Sequence, residues 1–288
     1  MNSGASGYKL IATDIDGTLL DEKWQVTPRT KQVIEKVVAS GRELVLCSGR
    51  PPRTIRRLWQ ELHLSTPVIA YNGSLIYDYQ KEKPLFYLAL DKQLVAHIIE
   101  LIRRMDDTIN LSIEAMDHWF IDRLNDSITE AYKSGFLYGA LPSAGRLEGI
   151  LPHLDLEISK LFFIAPPAVR RCFEDQLKAS GLYEKVTVTS SGWNFVEVLP
   201  PGADKGRALR ELCRLRGVSP EQTVFLGDEE NDIPAFAVAG LSIAMGNASD
   251  RVKAAADLVT ATYLEEGWAE AVERHVLAGS RLPTATDI

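Results

Sequence analysis

Short unbroken apolar runs alternate with segments of helical spacing along the first third of the chain. Residues 10–13, 43–47 and 67–71 are such runs, of the length of buried strands. Thr27 before Pro28 has the form of an N-cap with proline at the first helical position, which predicts a helix that stops near Gly41. The pair Pro51-Pro52 opens a second helix that runs to about Leu62. Strand, helix, strand, helix, strand predicts βαβ units and a parallel sheet. The rhythm returns late in the chain, with a helix over 203–215, a strand over 223–226, a short helix over 234–239 and short strands at 241–244 and 256–259.

Between these halves the texture changes. Residues 86–90 alternate, a helix follows over 91–105, and strand-like runs come at 110–114 and 119–121 before a helix near 126–134. A run over 156–164, a helix over 167–180 and strands near 186–190 and 194–198 complete the middle. Strand pairs on either side of helices predict an α+β insert with a largely antiparallel sheet. The expected class is therefore α/β. A Rossmann-like parallel-sheet core comes from residues 7–82 and 195–275, with an inserted α+β cap over 83–194 and a tail over 276–288 whose last residues, 280–288, are expected to fray.

Ligands of an open parallel sheet bind beyond the carboxyl ends of its strands. Asp14 and Asp16 follow the first strand, and Ser48-Gly49-Arg50 follows the second just before a helix start. Lys205 opens the helix after Pro200-Pro201-Gly202, and Gly227-Asp228-Glu229-Glu230-Asn231-Asp232 follows the strand over 223–226. Taken singly, each group reads as an ordinary loop or solvated surface residue. All four in order, each at a strand end or helix start, form a set that handles phosphate. Ser48 and Gly49 offer a hydroxyl and backbone N–H groups at a helix start, where donors and dipole favour an anion. Lys205 adds a point charge. The carboxylates of Asp14, Asp16 and Asp228 are hard oxygen ligands suited to magnesium. A metal also explains why two aspartates stand so close together at Asp14 and Asp16.

Composition narrows the class without naming a substrate. The 288 residues are 45% hydrophobic and 25% charged, with a net charge of −7, which speaks against nucleic acid as the partner. No stretch approaches a membrane span, and the N-terminus lacks the form of a signal peptide. Cys47, Cys172 and Cys213 are odd in number and scattered, which favours reduced thiols and a cytoplasmic setting. The five histidines are scattered as well and receive no chemical role.

The stretches Asp-Ile-Asp-Gly-Thr-Leu, Cys-Ser-Gly-Arg-Pro, Gly-Ala-Asp-Lys-Gly-Arg-Ala-Leu and Gly-Asp-Glu-Glu-Asn-Asp-Ile-Pro together resemble the haloacid dehalogenase superfamily, and within it the Cof-type phosphatases with a large inserted cap. The stretch Tyr71-Asn72-Gly73 is similar to that group just before its cap. The resemblance implies a magnesium-dependent phosphatase. It makes Asp14 the nucleophile that forms an aspartyl-phosphate and Asp16 the general acid and base. Magnesium would rest on the Asp14 carboxylate, the Asp16 carbonyl and the Asp228 carboxylate. Ser48, Lys205 and the backbone N–H groups of Ile15 and Gly49 would bind phosphoryl oxygens. Asn231 would contact the phosphoryl group, and Asp232 would support Lys205 or the metal shell. The one departure is Trp268, where the group usually has a smaller apolar residue.

The expected substrate is a small phosphorylated metabolite, a sugar phosphate or a relative of one, with no nucleic acid and no membrane as partner. A phosphomutase is the alternative, although its relatives carry a different second motif. An idle sugar-phosphate sensor would have no need of the Asp14 and Asp16 pair. In capped enzymes of this kind specificity is expected in the cap, where Trp193 and Asn194 are candidates for substrate contact.

Overall fold

The computed structural model describes residues 7–133, 141–190 and 194–278. The expected tail over 280–288 and the candidate Trp193 lie outside them. In chain order the elements begin with β1 (Leu10–Thr13), α1 (Pro28–Ala39), β2 (Glu43–Leu46), α2 (Pro52–Glu61) and β3 (Val68–Ala70). They continue with β4 (Leu75–Asp78), β5 (Lys83–Tyr87), α3 (Lys92–Met105), β6 (Ser112–Ala115), β7 (His118–Ile121) and α4 (Asp126–Lys133). Next come β8 (Ser143–Ala144), α5 (Leu147–Ile150), β9 (Ile158–Ile164), α6 (Pro167–Ala179), β10 (Thr187–Thr189) and β11 (Phe195–Leu199). The chain closes with α7 (Lys205–Arg216), β12 (Thr223–Gly227), α8 (Ile233–Phe236), β13 (Leu241–Ala244), α9 (Asp250–Ala254), β14 (Leu258–Val259) and α10 (Gly267–Val272).

These elements form two compact units, one of residues 1–48, 62–68 and 205–288, the other of residues 49–61 and 69–204. The second unit thus takes in α2, the residues after β3 and β11, which the sequence expectation grouped with the core.

The first unit is built on a five-stranded sheet in the order β14-β13-β12-β1-β2, parallel throughout. Its central strands are apolar on both faces, as a covered parallel sheet requires. Leu10, Ile11 and Ala12 of β1 and Val224, Phe225 and Leu226 of β12 are fully buried. The Thr27 cap forms as expected, its hydroxyl accepting from Thr30 N with proline in the first turn.

One expectation needs correction. The βαβ rhythm predicts β3 as the third parallel strand, but it stands in a separate three-stranded sheet in the order β3-β4-β5. The cause lies just before it. Pro67 has no N–H to give the neighbouring strand, and the Leu44 carbonyl of β2 is taken instead by the Thr66 hydroxyl. Tyr71 and Asn72 then turn left-handed, at φ 51° and 53°, and send the chain into the β4–β5 hairpin.

The second unit carries a six-stranded sheet in the order β10-β11-β9-β6-β7-β8, antiparallel except where β8 joins β7. The antiparallel insert is as expected. Val95, Ile98, Ile99 and Ile102, on one stripe of α3, share a core with Phe173 and Leu177 of α6 and with Ile113, Leu161, Phe163, Val196 and Val198 of the sheet. Alternate sheet residues point the other way. Among them are Glu114, Lys160 and Glu197, all buried. Among the described residues no helix is long and apolar enough to cross a membrane.

Candidate active site

The first unit gathers its polar side chains at one end of the parallel sheet. Pairing in register sets their positions, because Asp14 N donates to the Leu226 carbonyl (2.8 Å) and Cys47 N to the Thr13 carbonyl (2.9 Å). Asp14 is thereby set beside Gly227-Asp228 on one side and Cys47-Ser48 on the other. Asp14 and Ser48 are both buried. Ile15 is buried too, so only its backbone can meet a ligand, and its carbonyl accepts the N–H groups of Leu19 and Leu20. Gly17 then turns left-handed (φ 76°) against the Asp228 carboxylate, where a Cβ would overlap it.

Lys205, the first residue of α7, is fully buried with its ammonium between two carboxylates, 2.5 Å from Asp14 Oδ1 and 2.6 Å from Asp232 Oδ1. The other oxygen of Asp232 accepts from Asp228 N (2.9 Å) and Glu229 N (3.0 Å). Asp232 is therefore saturated as the brace of Lys205 and of the turn after β12. Asp228 is oriented by two donors, the Thr18 hydroxyl (2.8 Å) and Asn247 Nδ2 (3.0 Å). Asn231 is buried in the same turn, and Asp16 is half-buried in the loop after β1.

The electrostatics follow from this crowding. Burial pushes the Asp14 carboxyl up to about 7, against Lys205 and with the Asp232 and Asp16 charges adding to it. Burial and then the Asp14 and Asp232 charges push Asp228 up to about 9. Burial disfavours the Lys205 ammonium, yet the Asp14 and Asp232 carboxylates raise its pKa well above the ordinary range.

One oxygen from each of Asp14, Asp228 and Asp232 lies within 4.8 Å of the others, a cluster of hard ligands with more negative charge than Lys205 offsets. Such a site suits a divalent cation. With Asp232 committed to Lys205 and two backbone N–H groups, the carboxylates best placed to serve a metal are those of Asp14 and Asp228. The Asp16 carboxylate is not in the cluster.

Gly49 begins the second unit, one residue after Ser48. Asn194 is exposed and left-handed (φ 62°) at the turn into β11, where its carbonyl accepts from Ala165 N (3.0 Å). Three residues of the first unit's site escaped sequence reasoning. Thr18 stands inside the first motif, and Asn247 follows the end of β13, so the same attention to strand ends extended to a further strand finds it. Trp268 was noted only as a departure. It is buried, and its Nε1 donates to the Thr13 hydroxyl (2.9 Å), which in turn donates to the Asp14 carbonyl (2.8 Å). The indole therefore braces the end of the strand that carries Asp14.

Residues 11–272 match the family of haloacid dehalogenase-like hydrolases. YxeH of Bacillus subtilis is 32% identical over 279 residues, which cover 94% of this chain and 99% of that protein. The 5-amino-6-(5-phospho-D-ribitylamino)uracil phosphatase YcsE of the same organism is 30% identical, over 93% of this chain and 96% of its own. The crystal structure of a haloacid dehalogenase-like hydrolase from Bacteroides thetaiotaomicron is 29% identical and superposes with a TM-score of 0.79, covering 93% of this chain and 99% of that one. With residues 11–272 of its 288 matched, the chain belongs to the haloacid dehalogenase-like hydrolases and to the phosphatases among them.

Proposed function

We propose that this phosphatase hydrolyses a sugar phosphate or a related small phosphomonoester through an aspartyl-phosphate on Asp14. The observation that carries the reading is the pairing of the buried Asp14 carboxylate with Lys205 at 2.5 Å. That contact holds Asp14 Oδ1 and leaves Oδ2 to attack. The Asp14 and Asp228 carboxylates with the Asp16 carbonyl would hold a magnesium ion, which when bound supplies positive charge against the phosphoryl oxygens.

Asp14 Oδ2 forms the new bond to phosphorus as the bond to the leaving oxygen breaks, and Asp16 gives that oxygen its proton. Asp16, now a carboxylate, takes a proton from water as the water oxygen attacks phosphorus. The bond to Asp14 breaks and inorganic phosphate leaves. Lys205, the Ser48 hydroxyl and the N–H groups of Ile15 and Gly49 stabilise the phosphoryl oxygens in both steps, and Asn231 contacts them. The half-buried Asp16, outside the carboxylate cluster, suits the proton-transfer role. Specificity resides in residues 83–194, with Asn194 and Trp193 as contacts. YcsE acts on a phosphorylated polyol joined to a heterocycle, so such esters belong beside sugar phosphates in the substrate panel.

The test is phosphate release from that panel together with Asp16→Asn in single-turnover bursts. General acid help is typically worth ~100- to 10,000-fold, so the variant loses that much on a sugar phosphate and far less on p-nitrophenyl phosphate, whose leaving group needs no proton. Equal losses on both substrates would remove the acid role. An isomerised product in place of free phosphate would remove the hydrolase reading.

A further inference from the structure

The second unit buries an ion pair that the proposed chemistry does not use. Lys160 of β9 and Glu197 of β11 meet at 2.6 Å on the sheet face opposite α3 and α6, with 7% and 0% of their surfaces exposed. An ion pair buried this deeply is a poor way to stabilise a fold, because an apolar pair of the same shape does as well or better. Its bonds suggest another purpose. Lys160 Nζ also donates to the Gly49 carbonyl (3.1 Å), while the second oxygen of Glu197 accepts from Asn72 Nδ2 (2.9 Å). Asn72 in turn packs on Gly49 so closely that a Cβ there would lie 2.9 Å from Asn72 Oδ1.

The segment after Ser48 is thus clamped at successive points. Lys160 holds the Gly49 carbonyl, Asn72 covers the Gly49 Cα, and Tyr71 N donates to the Arg50 carbonyl (3.1 Å). Arg53, in the first turn of α2, makes two bonds of 2.7 Å to Glu114 of β6 and anchors the same segment further along. Tyr71 and Asn72 hold left-handed backbone, at φ 51° and 53°, to bring these groups to Gly49. Residues kept in such conformations persist where the surroundings over-determine them. The Lys160 ammonium lies 4.8 Å from the centre of the Phe162 ring and 5.9 Å from that of Tyr71, which hold the cation in place without competing hydrogen bonds.

We propose that Lys160, seated by Glu197 and Asn72, is a positioning residue for phosphoryl binding, because its bond to the Gly49 carbonyl pins the Gly49–Arg50 peptide and, with Asn72 against the Gly49 Cα, holds in place the residue whose N–H is the phosphoryl donor. The inference rests on the functional reading above, in which that N–H meets a phosphoryl oxygen. Gly49 has no side chain to fix its own backbone, so an external clamp is what keeps the donor aimed. The cation acts through the Gly49 backbone and needs no contact with substrate.

The test compares wild type with the double variant Lys160→Met, Glu197→Gln. That variant removes both charges, keeps the volumes and leaves Asn72 an acceptor. A purely structural pair replaced in this way leaves phosphate binding within twofold of wild type. The positioning role predicts a melting temperature near wild type while inhibition by inorganic phosphate weakens about 10- to 100-fold, the scale of a misaimed binding group. On p-nitrophenyl phosphate, kcat/KM falls by the same factor. The single variant Glu197→Gln, whose one acceptor oxygen can serve Lys160 or Asn72 but not both, gives a smaller loss in the same direction and decides the matter if the double variant fails to fold. Unchanged inhibition by phosphate in the folded variant would overturn the inference and leave the functional reading standing. A wild-type protein that neither releases nor binds phosphate would overturn that reading, and this inference with it.

Discussion

Asp232→Asn separates two roles that sequence alone leaves open, support for Lys205 and membership of the metal shell. In the structure one Asp232 oxygen accepts from Lys205 Nζ and the other from two backbone N–H groups. An amide has a single acceptor oxygen. If that oxygen faces Lys205, its NH2 group meets the N–H groups of Asp228 and Glu229; if it faces them, the NH2 group meets the ammonium. The first orientation costs two backbone contacts, and the second costs the ammonium contact. Hydrogen bonds to a charged acceptor are worth ~1.5 kcal/mol each at the low end, so the loss should be at least about 1.5 kcal/mol. At ~2–4 °C per kcal/mol for a chain of this size, the melting temperature should fall by at least roughly 3–6 °C. Removing a negative charge from beside Asp14 and Asp228 offsets part of this. The offset is smallest near pH 5.5, where both neighbours, at about 7 and about 9, carry protons. The assay is thermal unfolding in EDTA at pH 5.5 and pH 8, with and without magnesium. The loss should be present in EDTA and larger at pH 5.5. A loss that appears only with magnesium would make Asp232 a metal ligand, and a drop of under about 2 °C at pH 5.5 would refute the bonding argument.

Thr18→Val and Asn247→Ala each remove one donor that orients Asp228. Groups that orient a metal ligand are worth ~10- to 100-fold in affinity, so the magnesium concentration for half-maximal activity should rise by that factor, read from a titration of phosphate release; an unchanged midpoint would detach these residues from the metal. Asp14 and Asp228 also set a pH dependence in the metal-free protein. Their folded-state pKa values, about 7 and about 9, lie above the ordinary 3.8, so between those limits the folded state binds more protons than the unfolded one. Stability is therefore greatest below pH 4 as far as these groups are concerned, and falls as pH rises through 7 to 9. The melting temperature in EDTA should drop from pH 5.5 to pH 8.5 and magnesium should flatten the slope; a slope unaffected by magnesium would count against Asp14 and Asp228 as its ligands.

What the sequence disclosed was local in origin. An apolar run followed by a polar pair is visible without knowing its neighbours, and for that reason β1, β2, β12 and the groups after them were legible. The place of β3 was not, because it depends on a side chain, Thr66, taking the Leu44 carbonyl across the fold. Trp268 stood out as unusual, but its bond to Thr13 spans 255 residues. Lys160 and Glu197 stand inside two separate predicted strands, and only the register between β9 and β11 brings their charges together. The candidate site residues were easier to find than the residues that hold them, since the former recur at strand ends and the latter come from anywhere in the chain.

The most direct test of the central claim is a rapid acid quench of wild type during turnover of a 32P-labelled sugar phosphate. The account predicts a labelled protein, stable in acid and cleaved by hydroxylamine as an acyl phosphate is, with the label on the peptide that contains Asp14 and lost in Asp14→Asn. Free phosphate released with no labelled protein at any quench time, or label on a peptide lacking Asp14, would contradict it.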